Sequence, residues 1–145
     1  MSITSAVANS FKTEVLGGIH DLDTDVIKIA LIKSTPSGTY GKDTTNYSDV
    51  IGNTDEATGT NYTAGGNTLA NASITLDGDT AIVDFDDTVW TSATVSADGA
   101  IIYNSSKANR AIAIIDFGGT VTSTAGDFTI QFPVAAAATA IIALT

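Results

Sequence analysis

The chain has 145 residues and a formal net charge of −10, with 43% hydrophobic and only 15% charged residues. This length favours one folded domain, and the apolar content is too high for an intrinsically disordered chain. The acidic excess argues against a nucleic-acid or anionic membrane partner, and the lack of cysteine excludes disulfides, thiolate nucleophiles and zinc sites with cysteine ligands.

A short helix is the first predicted element, over residues 4–16. Ala8, Phe11, Val15 and Leu16 recur at a spacing that places them on one side of a helix, and a pair of glycines ends the pattern. A helix this short is stable only when its apolar side is packed. We therefore expect it to dock on the chain's own sheet or on a neighbouring subunit.

The first predicted strand follows, over residues 25–33, with Ile27, Ile29 and Leu31 on one face. A polar region rich in Thr, Gly, Asn, Asp and Tyr then occupies residues 34–72. Connections of that length are usually functional or contain short elements of their own. We expect this region to be the most exposed part of the chain and the part that contacts a partner.

Residues 73–145 carry the strongest β pattern. An Asp-Gly turn at 77–79 joins two short strands into a hairpin. Alternating or continuous apolar runs predict further strands at residues 89–95, 100–103, 110–117, 127–132 and 139–144. Together with residues 25–33, these segments predict a single mainly β domain over residues 1–145. It is an antiparallel sandwich or barrel of seven or eight strands with one N-terminal helix.

The first acidic motif is Asp21, Asp23 and Asp25, which has the spacing of the start of an EF-hand loop. The glycine that such a loop needs is replaced by Val26, and the bidentate glutamate by Ile32. The chelating set is therefore incomplete. We interpret the motif as a solvated acidic turn between helix and strand, and we predict neither a metal nor a cofactor site.

The second acidic cluster lies in and just after the hairpin and consists of Asp77, Asp79, Asp84, Asp86 and Asp87. Asp84 and Asp86 share one strand face because side chains alternate with period two, and paired carboxylates can bind Ca²⁺ or hydrolyse glycosides. Only Trp90 supplies a nearby aromatic ring for a substrate cleft, so we favour a charged edge that blocks edge-to-edge pairing. His20 lacks a nucleophile motif to act with. We predict no catalytic residue and no enzymatic activity.

Aromatic residues of the polar region are candidates for a contact surface. Tyr40, Tyr47 and Tyr62, with Trp90, fit a surface that stacks on sugars or binds a protein, because Tyr and Trp are favoured at interfaces. They equally fit side chains that pin a long loop to the core, and the sequence leaves both interpretations open. The full set of predicted interface residues is these four with Phe11, Val15 and Leu16.

Several segments along nearly the whole chain carry a further signal through their order and spacing. They are residues 8–12 (Ala-Asn-Ser-Phe-Lys) with Glu14, Leu16 and His20, residues 26–31, residues 61–66 (Asn-Tyr-Thr-Ala-Gly-Gly), residues 83–87 (Val-Asp-Phe-Asp-Asp) with 90–94, residues 99–104, and residues 114–118 with 122–133. In this combination the chain resembles a family of small virion structural proteins of tailed bacteriophages, which are commonly encoded among head genes.

The resemblance implies a component of a phage particle, namely a decoration or cement protein that binds the outside of the head shell and stabilises it. The implied partner is the major capsid protein, and a homotrimer is favoured because three-fold positions suit closed cyclic symmetry. The implied location is the capsid surface, after synthesis in the host cytoplasm. The alternative is a tail or fibre component that makes receptor or glycan contacts through residues 34–72.

Overall fold

The computed structural model describes residues 2–145, so Met1, part of the predicted domain span, lies outside the described residues. Those residues form ten strands, two helices and one 3₁₀ turn at Ser105–Lys107. The helices are α1 (Asn9–Leu16) and α2 (Ser48–Gly52). The strands are β1 (Ser2–Ile3), β2 (Ala6–Val7), β3 (Ile27–Lys33), β4 (Thr39–Tyr40), β5 (Asn67–Thr68), β6 (Ser73–Asp77), β7 (Thr80–Asp84), β8 (Thr88–Asn104), β9 (Arg110–Ile130) and β10 (Ile142–Leu144).

Three sheets organise these strands. The largest has five strands in the order β2-β9-β8-β3-β5, and the second has three in the order β10-β7-β6. Both are antiparallel throughout, whereas β1 and β4 form a small parallel pair. Within residues 2–145 the sheets do not close into a barrel. The predicted mainly β class is confirmed, and of its two architectures the chain adopts the sandwich-like one.

The five-stranded sheet is covered on both faces. Adjacent residues of a strand point to opposite faces, yet Ile101 and Ile102 are both fully buried. The same holds for Leu31 and Ile32 on the neighbouring strand. The core cluster built on this sheet extends from Ala8 near the start of the chain to Ile142 near its end.

The long strands β8 and β9 differ from prediction, because four shorter strands were expected in their place. The expected breaks at residues 98–99 and 118–119 lie inside continuous strands. The register instead shifts at four points along the β8–β9 ladder, including Ala97/Gly99. Bulges of this kind accommodate an extra residue and bend a strand without ending it, so glycines that indicated turns serve here as bends.

The start of α1 also differs from prediction. The helix begins at Asn9 rather than residue 4, because β2 pairs with β9 and places Ala6 opposite Ile114. The Ala8 amide continues this pairing by donating to the Ile112 carbonyl at 2.9 Å. Backbone pairing with a sheet edge thus outweighs the weak helical preference of this segment, since propensity is readily overridden by tertiary contacts.

Candidate functional site

The carboxylate of Asp55 is the most deeply buried charge in the polar region. It is fully inaccessible to solvent and accepts hydrogen bonds from the Tyr40 hydroxyl at 2.6 Å and from the amides of Ser37 and Gly38 at 2.9 and 2.7 Å. The Lys33 ammonium lies 3.0 Å away. Burial alone would raise the pKa of Asp55, but these donors outweigh it and hold the pKa well below its ordinary value.

The next residue, Glu56, binds other residues of the same polar region. Its carboxylate accepts hydrogen bonds from the hydroxyls of Tyr47 and Tyr62, the latter at 2.8 Å, and from the Gly65 amide at 2.6 Å. The Tyr62 hydroxyl also accepts a hydrogen bond from the buried Leu31 amide at 2.9 Å. Strand β3 and the polar region are therefore joined through one glutamate and its tyrosines.

All four tyrosines of the chain are buried and keep their protons to unusually high pH. Burial is the main cause, and it raises the pKa of Tyr40 and of Tyr103 to about 12. Burial and the neighbouring Glu56 carboxylate raise the pKa of Tyr47 and of Tyr62 further. Each hydroxyl therefore stays a hydrogen-bond donor across the physiological range, as its carboxylate or carbonyl partner requires.

The predicted aromatic contact surface is not exposed in this chain. Tyr40, Tyr47 and Tyr62 point inward to their carboxylates, and Trp90 is buried against Phe128 in an edge-on arrangement with the ring centroids 6.0 Å apart. These positions favour the packing interpretation, in which the rings pin the polar region to the core. Residues 34–72 accordingly form part of the folded body rather than a loose contact loop.

The predicted contact helix divides into a buried and an exposed part. Phe11 is buried, with its ring centroid 4.9 Å from that of His20, and it anchors α1 to the sheet. Val15 is half-buried, whereas Leu16 at the end of the helix is 80% exposed. Of the seven predicted interface residues, only Leu16 offers most of its side chain to solvent.

A polar network that the sequence did not predict links α1 to the end of β8 and the start of β9. The side-chain amide of Asn104 donates to His20 Nδ1 at 3.0 Å and to Asp25 at 2.8 Å. A ring nitrogen that accepts a hydrogen bond carries no proton, so His20 is neutral with its Nε2 proton facing Glu14 at 3.7 Å. Burial lowers the pKa of His20 despite the opposing effect of Glu14. Glu14 in turn pairs with Arg110 on β9.

An apolar groove separates α1 from the three-stranded sheet. It has a volume of about 780 Å³. Its apolar lining includes Val15 on the helix side and Ile74, Val83, Ile142 and Leu144 on the sheet side. Ile74 and Leu144 remain 52% and 57% exposed, and the adjacent Leu76 is 71% exposed. This is a substantial apolar surface for a chain with such an acidic composition.

The acidic motifs accept hydrogen bonds from the chain's own amides, local ones in the first motif and more distant ones in the second. Asp21 accepts hydrogen bonds from the amides of Asp23 and Thr24 at 3.1 and 3.3 Å, which is the geometry of an Asx turn. In the second cluster, Asp87 accepts from the Phe132 amide at 2.8 Å and Asp86 from the Asn71 side chain at 2.5 Å. Among residues 2–145, no three His, Asp or Glu side chains lie together in a way that could hold a metal ion.

Comparison of the chain with protein-family models, with curated proteins and with solved structures gave no match. In the part of the chain that the structure describes, neither helix is long and apolar enough to cross a membrane.

Proposed function

We propose that the chain is a non-enzymatic structural component of a bacteriophage particle, a decoration or cement protein that binds the outside of the head shell. The observation that carries the proposal is the apolar surface at the end of α1, where Leu16 is 80% exposed and its neighbour Val15 lines the apolar groove together with the exposed Ile74 and Leu144. Because exposed apolar surface of this kind typically marks a protein contact, we assign this end of the helix to the shell or to a neighbouring subunit.

The rest of the molecule supports a role as a rigid body. The long polar region is fastened by the buried carboxylate of Asp55 and the half-buried carboxylate of Glu56, and the five-stranded sheet is covered on both faces. A protein that stabilises a shell must resist deformation itself, which buried and satisfied polar groups favour. The partner we propose is the major capsid protein, and the assembly we propose is a homotrimer at three-fold positions.

The tail or fibre alternative is the weaker of the two. It assigned receptor or glycan contacts to residues 34–72, and the aromatic rings suited to stacking on sugars are Tyr40, Tyr47 and Tyr62 in that region. All three are buried with their hydroxyls bound to carboxylates. A glycan site there would require these rings to leave the core.

The copy number of the chain in purified phage particles tests the proposal, measured by quantitative mass spectrometry against the major capsid protein. A ratio near one-to-one, or one trimer for every few capsid subunits, is expected. A handful to a few dozen copies per particle would support a tail or fibre role instead, and absence from particles would overturn both.

A matched pair of variants tests the contact itself. Leu16→Ser removes the exposed apolar side chain at the end of α1, and we expect it to lower the occupancy of shells to which the purified chain is added. Ile51→Ser is the control, because Ile51 is a 48% exposed apolar residue on the other helix. Equal binding of both variants at wild-type level would remove α1 from the contact.

A further inference from the structure

Strand β6 has a free backbone edge. It is the outer strand of the β10-β7-β6 sheet, and its hairpin partner β7 pairs Asp77 with Thr80 across a two-residue turn. The pair that flanks such a turn is hydrogen bonded, and bonded pairs then alternate along the ladder. The amides and carbonyls of Ile74 and Leu76 therefore point away from β7. Among the described residues, no backbone hydrogen bond links β6 to anything beyond its own sheet.

One face of this sheet edge is apolar. Side chains alternate along a strand, so Ile74 and Leu76 share a face with Val83 of β7 and Leu144 of β10. This face lines the groove beside α1. Ile74, Leu76 and Leu144 are 52%, 71% and 57% exposed. A strand added alongside β6 would cover Ile74 and Leu76 with every second side chain.

The opposite face of the same edge carries carboxylates on either side of the buried Ile82. Asp77 and Asp84 lie there, and Asp79 stands in the turn. The chain has no lysine or arginine between residues 43 and 106 or after residue 110, so no basic side chain of β6, β7 or β10 offsets these charges. A second copy of β6 would bring carboxylates toward carboxylates, whereas a basic strand would meet opposite charge.

We propose that the free edge of β6 binds an extended segment of a partner protein in which apolar and basic residues alternate. The backbone of the segment pairs with the outward groups of Ile74 and Leu76, as in strand addition to an exposed sheet edge. Its apolar side chains enter the groove and its basic side chains face Asp77 and Asp79. The inference goes beyond the virion role, because it rests on the backbone edge of β6 and on the groove rather than on Leu16.

The probe for this surface is a short end-blocked peptide of alternating lysine and valine, about as long as β6. We expect it to bind, to shift the amide NMR signals of Ile74 and Leu76, and to bind more weakly as salt is added. The control peptide has the same composition with its lysines grouped at one end. Equal affinity for both peptides would show charge attraction without strand pairing and would overturn the proposal.

Variants of β6 distinguish the contribution of its backbone to peptide binding from that of its side chains. Leu76→Pro removes an outward amide and leaves pairing with β7 intact, and loss of one or two hydrogen bonds should weaken peptide binding about tenfold. Leu76→Thr retains the outward backbone amide and makes the apolar face smaller, so it should also weaken peptide binding. It replaces the proline variant in the test if Leu76→Pro fails to fold. Unchanged affinity in the folded variants would overturn the proposal.

A charge variant and the state of association complete the test. Asp79→Asn should weaken binding about two- to fivefold, as for one exposed ion pair. The control, Asp43→Asn, changes an exposed carboxylate paired with Lys42 elsewhere on the surface and should have no effect.

Sedimentation tests whether the edge binds a second copy of the chain. A dimer that Leu76→Pro abolished would assign the edge to a second copy and overturn the proposal. If Leu16→Ser lowered shell occupancy and Leu76→Pro did not, the proposed virion role would be supported and the edge of β6 would take no part in shell binding.

Discussion

The carboxylates of Asp55 and Glu56, neighbours in the chain, fasten different parts of one polar region. Asp55 accepts the Tyr40 hydroxyl at 2.6 Å, and Glu56 accepts the Tyr62 hydroxyl at 2.8 Å. This dipeptide also lies beside β3, because the Lys33 amide donates to the Asp55 carbonyl at 2.8 Å. A dipeptide next to the central sheet therefore sets the path of most of residues 34–72.

Replacement of Asp55 by asparagine should destabilise the fold strongly. The change removes a buried charge that faces Lys33 and replaces one of the two carboxylate oxygens, which accept from the Ser37 and Gly38 amides, by an NH2 donor. Disrupting the hydrogen bonds and the ion pair of a fully buried carboxylate costs about 3 kcal/mol. Urea denaturation should report the loss as a lower midpoint. Asp43→Asn, on the exposed surface, should leave the midpoint nearly unchanged, and equal midpoints for the two variants would contradict a fastening role for Asp55.

Mild acid should weaken the fold through His20. Its pKa is lowered by burial, so below the unfolded value of 6.5 the unfolded chain binds the proton more tightly than the native chain. The contribution of His20 to the free energy of unfolding is complete above that pH. It decreases as the pH falls below 6.5 and levels off below the native pKa. Thermal unfolding from pH 7.5 to 5 should show this decrease. His20→Gln, which cannot titrate, should lack it.

Strong acid should act through Asp55. Its pKa is lowered, so the stability that it contributes is complete above the unfolded value of 3.8 and is lost as the pH falls below it. The two acid effects therefore occupy separate pH ranges. In Asp55→Asn the loss of stability below pH 4 should become smaller, whereas the loss near pH 6 should remain. If Asp55→Asn instead reduced the loss of stability near pH 6 and left the loss below pH 4 unchanged, the assignment of the two pH ranges to His20 and Asp55 would be wrong.

Alkaline titration should reveal the buried tyrosines. The pKa of Tyr40 and of Tyr103 is raised to about 12, and those of Tyr47 and Tyr62 are raised further. A raised pKa adds stability below the ordinary value of 10 that is lost as the pH increases beyond it. Absorbance at the tyrosinate wavelength should therefore stay flat at pH 10 and increase together with loss of β circular dichroism. Ionisation at pH 10 with the fold intact would place a tyrosine at the surface.

Two glycines with the same backbone angle should respond differently to alanine. Gly66 and Gly18 have φ of +75° and +76°, so alanine strains the backbone by about 1–2 kcal/mol in each. A Cβ atom at Gly66 would also overlap the Ile29 carbonyl oxygen, whereas Gly18 has open space around it. Gly66→Ala should therefore cost about 1–3 kcal/mol more. Equal denaturation midpoints would mean that β3 and residue 66 separate easily.

Local patterns predicted the parts of the fold that depend on local chemistry. The Asp-Gly turn located the β6–β7 hairpin, and the apolar run at 25–33 located β3. The continuity of β8 and β9 depends on bulges, and a glycine that bends a strand has the same sequence signature as one that ends it. The start of α1 depends on pairing of β2 with β9, a contact between distant segments that no local pattern contains.

The candidate site was only partly accessible to sequence reasoning. The tyrosines were found, but which way they point depends on Asp55 and Glu56, whose burial is a tertiary property. One signal did exist: of sixteen acidic residues only Glu14 and Glu56 are glutamates. Glu14 reaches Arg110, 96 positions along the chain, and Glu56 reaches the hydroxyl of the buried Tyr62. The longer side chain is used where a carboxylate must span a gap between elements.

The position of β2 has a consequence for the order of folding. Ser5 accepts a hydrogen bond from the Asp116 amide, 111 positions later in the chain, and β2 closes one side of the five-stranded sheet against β9. On a ribosome β2 leaves the exit tunnel well before β9, and its strand partner is absent until β9 has emerged. Closing so long a loop slows the pairing. We therefore expect β2, although it is synthesised long before β9, to be among the last strands to join the five-stranded sheet.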